Sequence, residues 1–348
     1  MHAPKIEEKS RKSKVVITDL LPRERKEYWE DQCPKELELV FGVDPQLDLT
    51  HLVSDAAALI TKKKLITENI LKKAKKLKLV QMFGHWPTVI DLKACSRLGI
   101  MVRARPVIVC ISVAEHAMAL LLACARNLIR GHCETVSGGY RSLGLDPRVT
   151  DECNFSFNWM GLKINEVYGK TLGLIGFGEI AREVAFRAQA FKMKTIYYDI
   201  DPLNKFWERE LKVEYRDIHD LLGVSDFISL HVPHTTRTDK MIGKREFHEM
   251  KDSAYLINTC RGGVVDENAL IGALQKREIA GAGLDVFVRE PLPMDSPLLK
   301  MENVILCPHT AGGSTQGLRG EALETLQEIV GVLEGKISDD ITLKYKRK

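Results

Sequence analysis

The stretch Thr171-Leu-Gly-Leu-Ile-Gly-Phe-Gly-Glu-Ile-Ala-Arg182 constrains this chain more than any other. An apolar, strand-like run over 172–175 meets Gly176-Phe177-Gly178, and a helix-like segment begins at once. The spacing is G-x-G-x-x-A, completed by Ala181, and a second strand-like run over 194–198 ends at Asp199. Strand, glycine turn, helix, strand, acid is the order a dinucleotide site needs. The first glycine permits the tight turn, and the second lets the backbone approach a pyrophosphate. The small third residue lets helix and strand pack closely. The helix N-terminus faces the phosphate charge, and Asp199 is placed to accept hydrogen bonds from both adenosine ribose hydroxyls. A glycine-rich turn in some other α/β protein is the plainer alternative.

With 348 residues the chain is long enough for two domains of ordinary size. No uninterrupted apolar run reaches the length of a membrane span; residues 117–125 form the longest, closed in by Glu115 and Arg126. The N-terminus is polar and charged, without a signal-peptide core. Eight cysteines show no C-x-x-C pair, and Cys110, Cys124, Cys260 and Cys307 sit in apolar surroundings. That pattern reads as reduced thiols in a cytoplasmic protein, with neither a disulfide framework nor a metal site. The net charge is a mild +4. Its densest basic run, from Lys62 to Lys78, is interleaved with Ile66, Ile70, Leu71, Ala74 and Leu77. It reads as the wet side of an amphipathic helix rather than a nucleic-acid patch, because no aromatic residue lies among the lysines.

In chain order, residues 1–13 read as a charged, disordered leader. Strands are expected over 14–19, 36–41, 56–61, 79–83 and 100–103. Helices are expected over 23–31, from Glu68 and over 89–98. Alternation of this kind implies a parallel sheet. A long helix over 113–129, rich in Ala and Leu on all sides, reads as buried. Residues 137–158, rich in Gly, Ser, Asp and Asn, read as a loop that either covers a site or is a disordered insertion. The second α/β unit begins at Leu172, with later strands over 226–231, 254–258, 282–285 and 303–307. A last helix is expected over 315–333.

Three of these later strand ends carry chemistry-bearing residues. Asn258-Thr-Cys-Arg-Gly-Gly263 puts Arg261 just beyond a strand. Leu284-Asp-Val-Phe-Val-Arg-Glu-Pro291 puts Asp285 at a strand end and Glu290 in the loop. Pro308-His-Thr-Ala-Gly-Gly313 leaves His309 at the mouth of the sheet. Ligands of open α/β sheets bind outside the carboxyl ends of the strands, so Arg261, Glu290 and His309 have a common place to converge. Singly they are a surface arginine, a turn acid and a capping histidine. Together they suit hydride chemistry. An arginine fork holds a carboxylate and polarises the adjoining carbonyl, a histidine shuttles a hydroxyl proton near neutral pH, and a neighbouring carboxylate favours the imidazolium.

At these residues the sequence resembles the D-isomer-specific 2-hydroxyacid dehydrogenase family, which includes phosphoglycerate, glycerate and D-lactate dehydrogenases. Ser112-Val-Ala-Glu-His116 is similar to the family's linker helix, and the resemblance extends from about Lys78 to Leu333. It implies a two-domain α/β fold, with a Rossmann-type nucleotide domain over 121–321 inserted into a flavodoxin-like substrate domain made of 1–120 and 322–348. It implies NAD as cofactor and a small 2-hydroxy or 2-oxo acid as substrate. Arg261 would bind substrate, Glu290 would raise the pKa of His309, and His309 would be the general acid/base. Gly176, Gly178, Glu179 and Ile180 would present backbone to the pyrophosphate, Asp199 would hold the ribose, and Val232 and Pro233 would lie near the adenine. Thr259, Cys260, Arg261, Asp285, His309, Ala311 and Gly312 would line the rest of the cofactor, with Asp285 near the nicotinamide amide. Gly84, His85 and Trp86 would meet the substrate, and the chain would form a homodimer with no nucleic-acid or membrane partner.

The sequence departs from the family pattern in several places. Ala181 replaces the usual glycine. Glu179 stands where a neutral or basic residue is usual, so it must point away from the pyrophosphate or weaken its binding. His85-Trp86-Pro87 is an unusual middle for the substrate loop. Arg103 and Arg105 replace an uncharged turn, and either meet an anionic substrate tail or are surface charges. Two other readings stand beside NAD-dependent dehydrogenation: an NADPH-preferring glyoxylate or hydroxypyruvate reductase, and an NADH-sensing scaffold resembling the C-terminal-binding-protein corepressors.

Overall fold

Every strand-to-strand pairing among the described residues is parallel, as the alternation of strands and helices requires. The computed structural model describes residues 12–42, 49–150, 158–313, 321–338 and 340. The chain forms two compact units, Met1–Ile108 with Thr315–Lys348, and Val109–Ser314.

The first unit contains β1 (Ser13–Ile17), α1 (Arg23–Asp31), β2 (Leu37–Phe41), α2 (Leu49–Leu52), β3 (Ala58–Thr61), α3 (Glu68–Lys73), β4 (Leu79–Phe83), α4 (Leu92–Leu98) and β5 (Met101–Arg105). The sheet order is β2-β1-β3-β4-β5. Strands β3 and β4 are buried at every position, as expected for parallel strands covered on both faces. Local chemistry sets the boundaries of α4. The Asp91 carboxylate accepts the Ala94 N–H at 2.9 Å, and Gly99 ends the helix at φ +69°. The lysine-rich segment behaves as a wet face: Leu71, Ala74 and Leu77 are buried, while Lys72, Lys73, Lys75, Lys76 and Lys78 are exposed. The helix itself is shorter than the lysine run. Helix Glu321–Leu333 returns to this unit, and Arg105 pairs with its Glu324 and, at 2.8 Å, with its Glu328, while Arg103 lies 3.8 Å from Glu328. These two arginines therefore tie the returning helix to the edge strand, and a free anionic tail is not what pairs with Arg105.

The second unit contains α5 (Ile108–Arg126), α6 (Leu128–Ser137), β6 (Thr171–Ile175), α7 (Glu179–Ala190), β7 (Lys194–Tyr198), α8 (Lys205–Leu211), β8 (Glu214–Tyr215), α9 (Ile218–Val224), β9 (Phe227–Leu230), α10 (Lys244–Glu249), β10 (Tyr255–Asn258), α11 (Glu267–Gln275), β11 (Gly281–Leu284) and β12 (Val304–Leu306). Helix Glu321–Leu333 of the first unit is then α12. The sheet order is β12-β11-β10-β9-β6-β7-β8, with β6 between strands of the two halves. Helix α5 starts five residues before the sequence suggests and breaks at Asn127, which sits at φ +52° and donates its side-chain N–H to the Lys163 carbonyl at 3.1 Å. The helix is long and apolar enough to meet the length and composition of a membrane span, because a helix averages over interruptions that shorten a linear run. Half of it is buried inside the protein, as core helices also are. It packs with the second unit: a Cβ on Gly283 of β11 would meet Leu120 Cβ at 3.0 Å and Cys124 Sγ at 3.3 Å. The segment after α6 is not wholly irregular, since residues Gly139–Leu143 form a 3-10 turn. The remainder of the expected loop at 151–157 and the leader at 1–11 lie outside the described residues.

Candidate active site

The topological switch point of the second unit lies between β6 and β9, which run side by side from Leu172–Phe227 to Ile175–Leu230. Gly176 occupies it at φ +86°, where a Cβ would come within 2.7 Å of the His231 carbonyl oxygen and 2.8 Å of Val232 Cγ1. Only glycine satisfies both the conformation and the space. Gly178 differs: a Cβ there would meet nothing within 4 Å, and no side chain caps the 12-residue helix that it opens. The result is an open approach to a helix N-terminus, which favours anionic groups. From the neighbouring strand Asp199 holds the turn. Its Oδ2 accepts the Phe177 N–H at 2.6 Å and its Oδ1 accepts the Asp201 N–H at 3.0 Å. A carboxylate has about four acceptor positions, so these bonds leave Asp199 capacity for ribose hydroxyls.

Glu179 is the first residue of α7, and its charge is answered inside the same turn. Burial lowers the pKa of the Arg182 guanidinium, while the charges of Glu179, Asp199 and Tyr197 act in the opposite direction. Arg182 also lies 5.9 Å from the centre of the Phe177 ring. Glu179 thus belongs to a local charge cluster, which is how an acid is accommodated in the first turn of this helix.

Beyond β10 the chain makes a tightly held loop. The buried Asn258 donates its side-chain N–H to the Arg261 carbonyl at 3.1 Å and accepts the Cys260 N–H at 3.1 Å. Burial pushes the Cys260 thiol up to about 11, so it stays protonated. Thr259 is buried, and its hydroxyl oxygen has no hydrogen-bond partner. A Cβ on Gly262 would overlap the carbonyl of Phe287, and one on Gly263 would lie 2.5 Å from the His234 ring. Gly262 therefore lets the β10 loop lie against the β11 loop, and Gly263 lets it lie against the loop after β9, which carries His234. Arg261 projects from this platform as an exposed side chain, with Nη1 donating to the Cys260 carbonyl at 2.5 Å.

Asp285, fully buried at the end of β11, clamps the third loop. Its Oδ1 accepts the Thr310 N–H and its Oδ2 the Ala311 N–H, each at 2.9 Å, and its carbonyl accepts the His309 N–H at 2.9 Å. Between these bonds His309 is held at φ +54°, a strained conformation for a residue with a side chain. Its Nδ1 meets Glu290 Oε2 at 2.6 Å, and Glu290 Oε1 accepts the Phe287 N–H at 3.0 Å. Burial alone would push the Glu290 carboxyl up. The hydrogen bonds from His309 and Phe287, with the charges of His309 and Arg261, outweigh it and hold the carboxyl below its ordinary value.

The second unit thus brings Gly176, Gly178, Glu179, Ile180, Asp199, Val232, Thr259, Cys260, Arg261, Asp285, Glu290, His309 and Ala311 to the carboxyl ends of its strands. Pro233 and Gly312 are exposed beside them. Gly84, His85 and Trp86 belong to the first unit, after β4. There the Gly84 N–H donates to the Arg105 carbonyl at 2.8 Å, and the rings of His85 and Trp86 stack at 4.3 Å. Two contributors lie in stretches that the sequence singles out, but their roles appear only in the fold. Asn258 shapes the Arg261 loop, and His116 on α5 puts Nε2 3.3 Å from Asp285 Oδ1. His116, Asp285 and Cys307 bring metal-ligand atom types within 4.8 Å of one another, a grouping that no C-x-x-C search detects. Asp285 is already committed there to two backbone N–H groups.

Comparison with known proteins identifies the class. Residues 118–311 match the model of the D-isomer specific 2-hydroxyacid dehydrogenase NAD binding domain. The chain is 36% identical to a glyoxylate reductase of Korarchaeum cryptofilum over 316 residues, 90% of this chain and 88% of the relative. It is 35% identical to a hydroxypyruvate reductase of Thermotoga maritima over 320 residues, 91% of this chain and 97% of the relative. Its fold is similar to the NAD-complexed D-isomer specific 2-hydroxyacid dehydrogenase of Lactobacillus delbrueckii ssp. bulgaricus, with TM-score 0.51 and 26% identity, covering 94% of this chain and 99% of that one. The chain belongs to the D-isomer specific 2-hydroxyacid dehydrogenase family. It is an NAD-dependent oxidoreductase of 2-hydroxy and 2-oxo acids.

Proposed function

We propose that Arg261, Glu290 and His309 carry out the interconversion of an (R)-2-hydroxy acid and its 2-oxo acid. The carrying observation is the 2.6 Å contact between His309 Nδ1 and Glu290 Oε2. Glu290, whose pKa is lowered, is charged at neutral pH and fixes the proton on Nδ1. Nε2 is then the atom that gives or takes the substrate hydroxyl proton. When that proton is taken up, the imidazolium faces a carboxylate that offsets its charge. The Arg261 guanidinium binds the substrate carboxylate and polarises the adjoining carbonyl.

The residues present fit a bound dinucleotide. The uncapped end of α7, the open space at Gly178 and the unpartnered, buried Thr259 hydroxyl are all at the strand ends. Gly176, Gly178, Glu179 and Ile180 would hold the pyrophosphate by backbone, Asp199 the ribose, and Val232 and Pro233 the adenine. Thr259, Cys260, Asp285, Ala311 and Gly312 would line the nicotinamide half. When bound, NAD(H) supplies the hydride acceptor or donor. The first unit is assigned to substrate recognition, with Gly84, His85 and Trp86 as its contacts, and the second to the dinucleotide. Glyoxylate and hydroxypyruvate are the first substrates to test, since relatives carry those names.

The chain is further proposed to be a cytoplasmic homodimer with no nucleic-acid or membrane partner. Supporting this, the cysteines among the described residues are free thiols. Leu128, Ile129, Val136 and Leu143, on α6 and the turn after it, are at least half exposed, forming an apolar surface suited to a second copy. The test of the chemistry is the Arg261→Ala and His309→Ala variants, assayed with NADH and a panel of 2-oxo acids. Both are expected to lose about a hundredfold or more of kcat/KM. Near-normal turnover would sink the mechanism.

A further inference from the structure

Helix α5 lies close on β11 because Gly283 carries no side chain: a Cβ there would meet Leu120 Cβ at 3.0 Å and Cys124 Sγ at 3.3 Å. Residues four apart share a helix face, so His116, Leu120 and Cys124 form one row along α5. Residues two apart share a strand face, so Asp285 follows Gly283 beneath that row. His116 Nε2 accordingly reaches Asp285 Oδ1 at 3.3 Å. Strand β12 completes the group. It pairs in parallel with β11, Leu284 beside Leu306, and the Cys307 N–H donates to the Leu284 carbonyl at 2.8 Å. The next residues along, Asp285 and Cys307, therefore stand side by side. An imidazole nitrogen, a carboxylate oxygen and a sulfur thus lie within 4.8 Å of one another, the single group of this kind among the described residues.

Each donor has capacity left. His116 Nε2 is buried and makes no hydrogen bond. Asp285 gives Oδ2 to the Ala311 N–H and Oδ1 to the Thr310 N–H, which leaves acceptor positions on a carboxylate that has about four. Cys307 is a free, half-buried thiol. Zn²⁺ accepts nitrogen, oxygen and sulfur donors together, whereas Mg²⁺ and Ca²⁺ take oxygen. Tetrahedral bonds of about 2.0–2.1 Å set nitrogen and oxygen donors about 3.3 Å apart, the spacing found between His116 and Asp285. We propose that His116, Asp285 and Cys307 bind a borderline-soft divalent cation of the Zn²⁺ class, with water in the fourth position. Binding releases the Cys307 thiol proton to solvent and leaves a thiolate on the metal. The ion clasps α5 to the ends of β11 and β12. The inference lies within the second unit and does not depend on the roles assigned to Arg261, Glu290 and His309.

The full-length protein is titrated with Co²⁺ as a spectroscopic probe, without coenzyme because Asp285 also belongs to the proposed nicotinamide lining. The wild type is expected to show tetrahedral visible bands and a thiolate-to-cobalt charge-transfer band, both removed by Zn²⁺ and untouched by Mg²⁺. Cys307→Ser should lose the charge-transfer band, and His116→Gln should bind Co²⁺ about a hundredfold more weakly. Both positions are half-buried. Cys133→Ser, which removes the exposed thiol on α6, should keep the band. A second measurement reads the clasp. Zn²⁺ at about a hundred times its Kd should raise the thermal midpoint of the wild type by about 5 °C and leave that of Cys307→Ser unchanged. No charge-transfer band in the wild type, an unchanged band in Cys307→Ser, loss of the band in Cys133→Ser, or an equal midpoint shift in Cys307→Ser would overturn the proposal.

Discussion

The switch points of the two units use one device for opposite ends. In each, a carboxylate reaches across to the backbone of a neighbouring loop: Asp199 to Phe177 N–H, and Asp19 to Lys62 and Lys63 N–H. In the second unit the loop so fixed is glycine-rich and bare, so backbone N–H groups and a helix end face the ligand. In the first unit the fixed loop carries three lysines, Lys62 to Lys64, and no glycine. Parallel-sheet topology decides where a ligand goes. The loop composition decides what kind of charge it meets there.

Substitutions that separate the two switch points should differ in kind. The largest effect is expected from Gly176→Ala, which meets both a φ of +86° and the His231 carbonyl at 2.7 Å. A stability loss of about 3 kcal/mol is expected from strain and overpacking, seen as a lower urea midpoint, whereas Gly178→Ala should leave the midpoint within about 0.5 kcal/mol while weakening NADH binding. Equal midpoints for the two variants would break the distinction between a steric glycine and an open one.

Asp199→Asn comes next. Removing its charge should raise the efficiency of NADPH relative to NADH by about tenfold, because a 2′-phosphate no longer meets a carboxylate. If the wild type already uses both coenzymes equally well, Asp199 does not have the ribose role. Asp19→Ala, on the other side of the comparison, should lower stability by about 1–3 kcal/mol through the two orphaned backbone N–H groups. It should not move coenzyme preference, and a change in that ratio would mean the two clamps are not independent.

The smallest effect concerns pH. Glu290 has a lowered folded-state pKa, so its contribution to stability is fully present above its ordinary carboxylate range. That contribution fades as pH falls through the lowered value. Urea midpoints of wild type and Glu290→Gln should therefore converge in acid and diverge towards neutrality. A gap that widens on acidification would reverse the sign assigned to the pair.

The fold and the site are most legible in the sequence where the determinants are local. The glycine turn, the strand ends at Asn258, Leu284 and Leu306, and the order of Arg261, Glu290 and His309 are all written in short contiguous motifs. They are least legible where partners lie far apart in the chain. Asp285 reads as a residue lining the cofactor. The fold also makes it an anchor for the Thr310 and Ala311 backbone, 25 and 26 positions away. Arg105 reads as a spare cation until α12 supplies Glu324 and Glu328 from more than two hundred residues downstream. Asp19 carries no motif at all, since its role is defined by lysine amides 43 and 44 positions on. The end of α5 is hidden for a different reason: asparagine adopts the left-handed conformation readily enough to break a helix without glycine or proline.

The most direct test of the central claim measures coenzyme binding and chemistry separately in one variant. NADH affinity of His309→Ala is read by calorimetry, and its single-turnover oxidation of NADH with glyoxylate by stopped flow. The expected result is NADH affinity within about threefold of the wild type and a chemical step slowed by about a hundredfold or more. A chemical step at the wild-type rate would contradict the account.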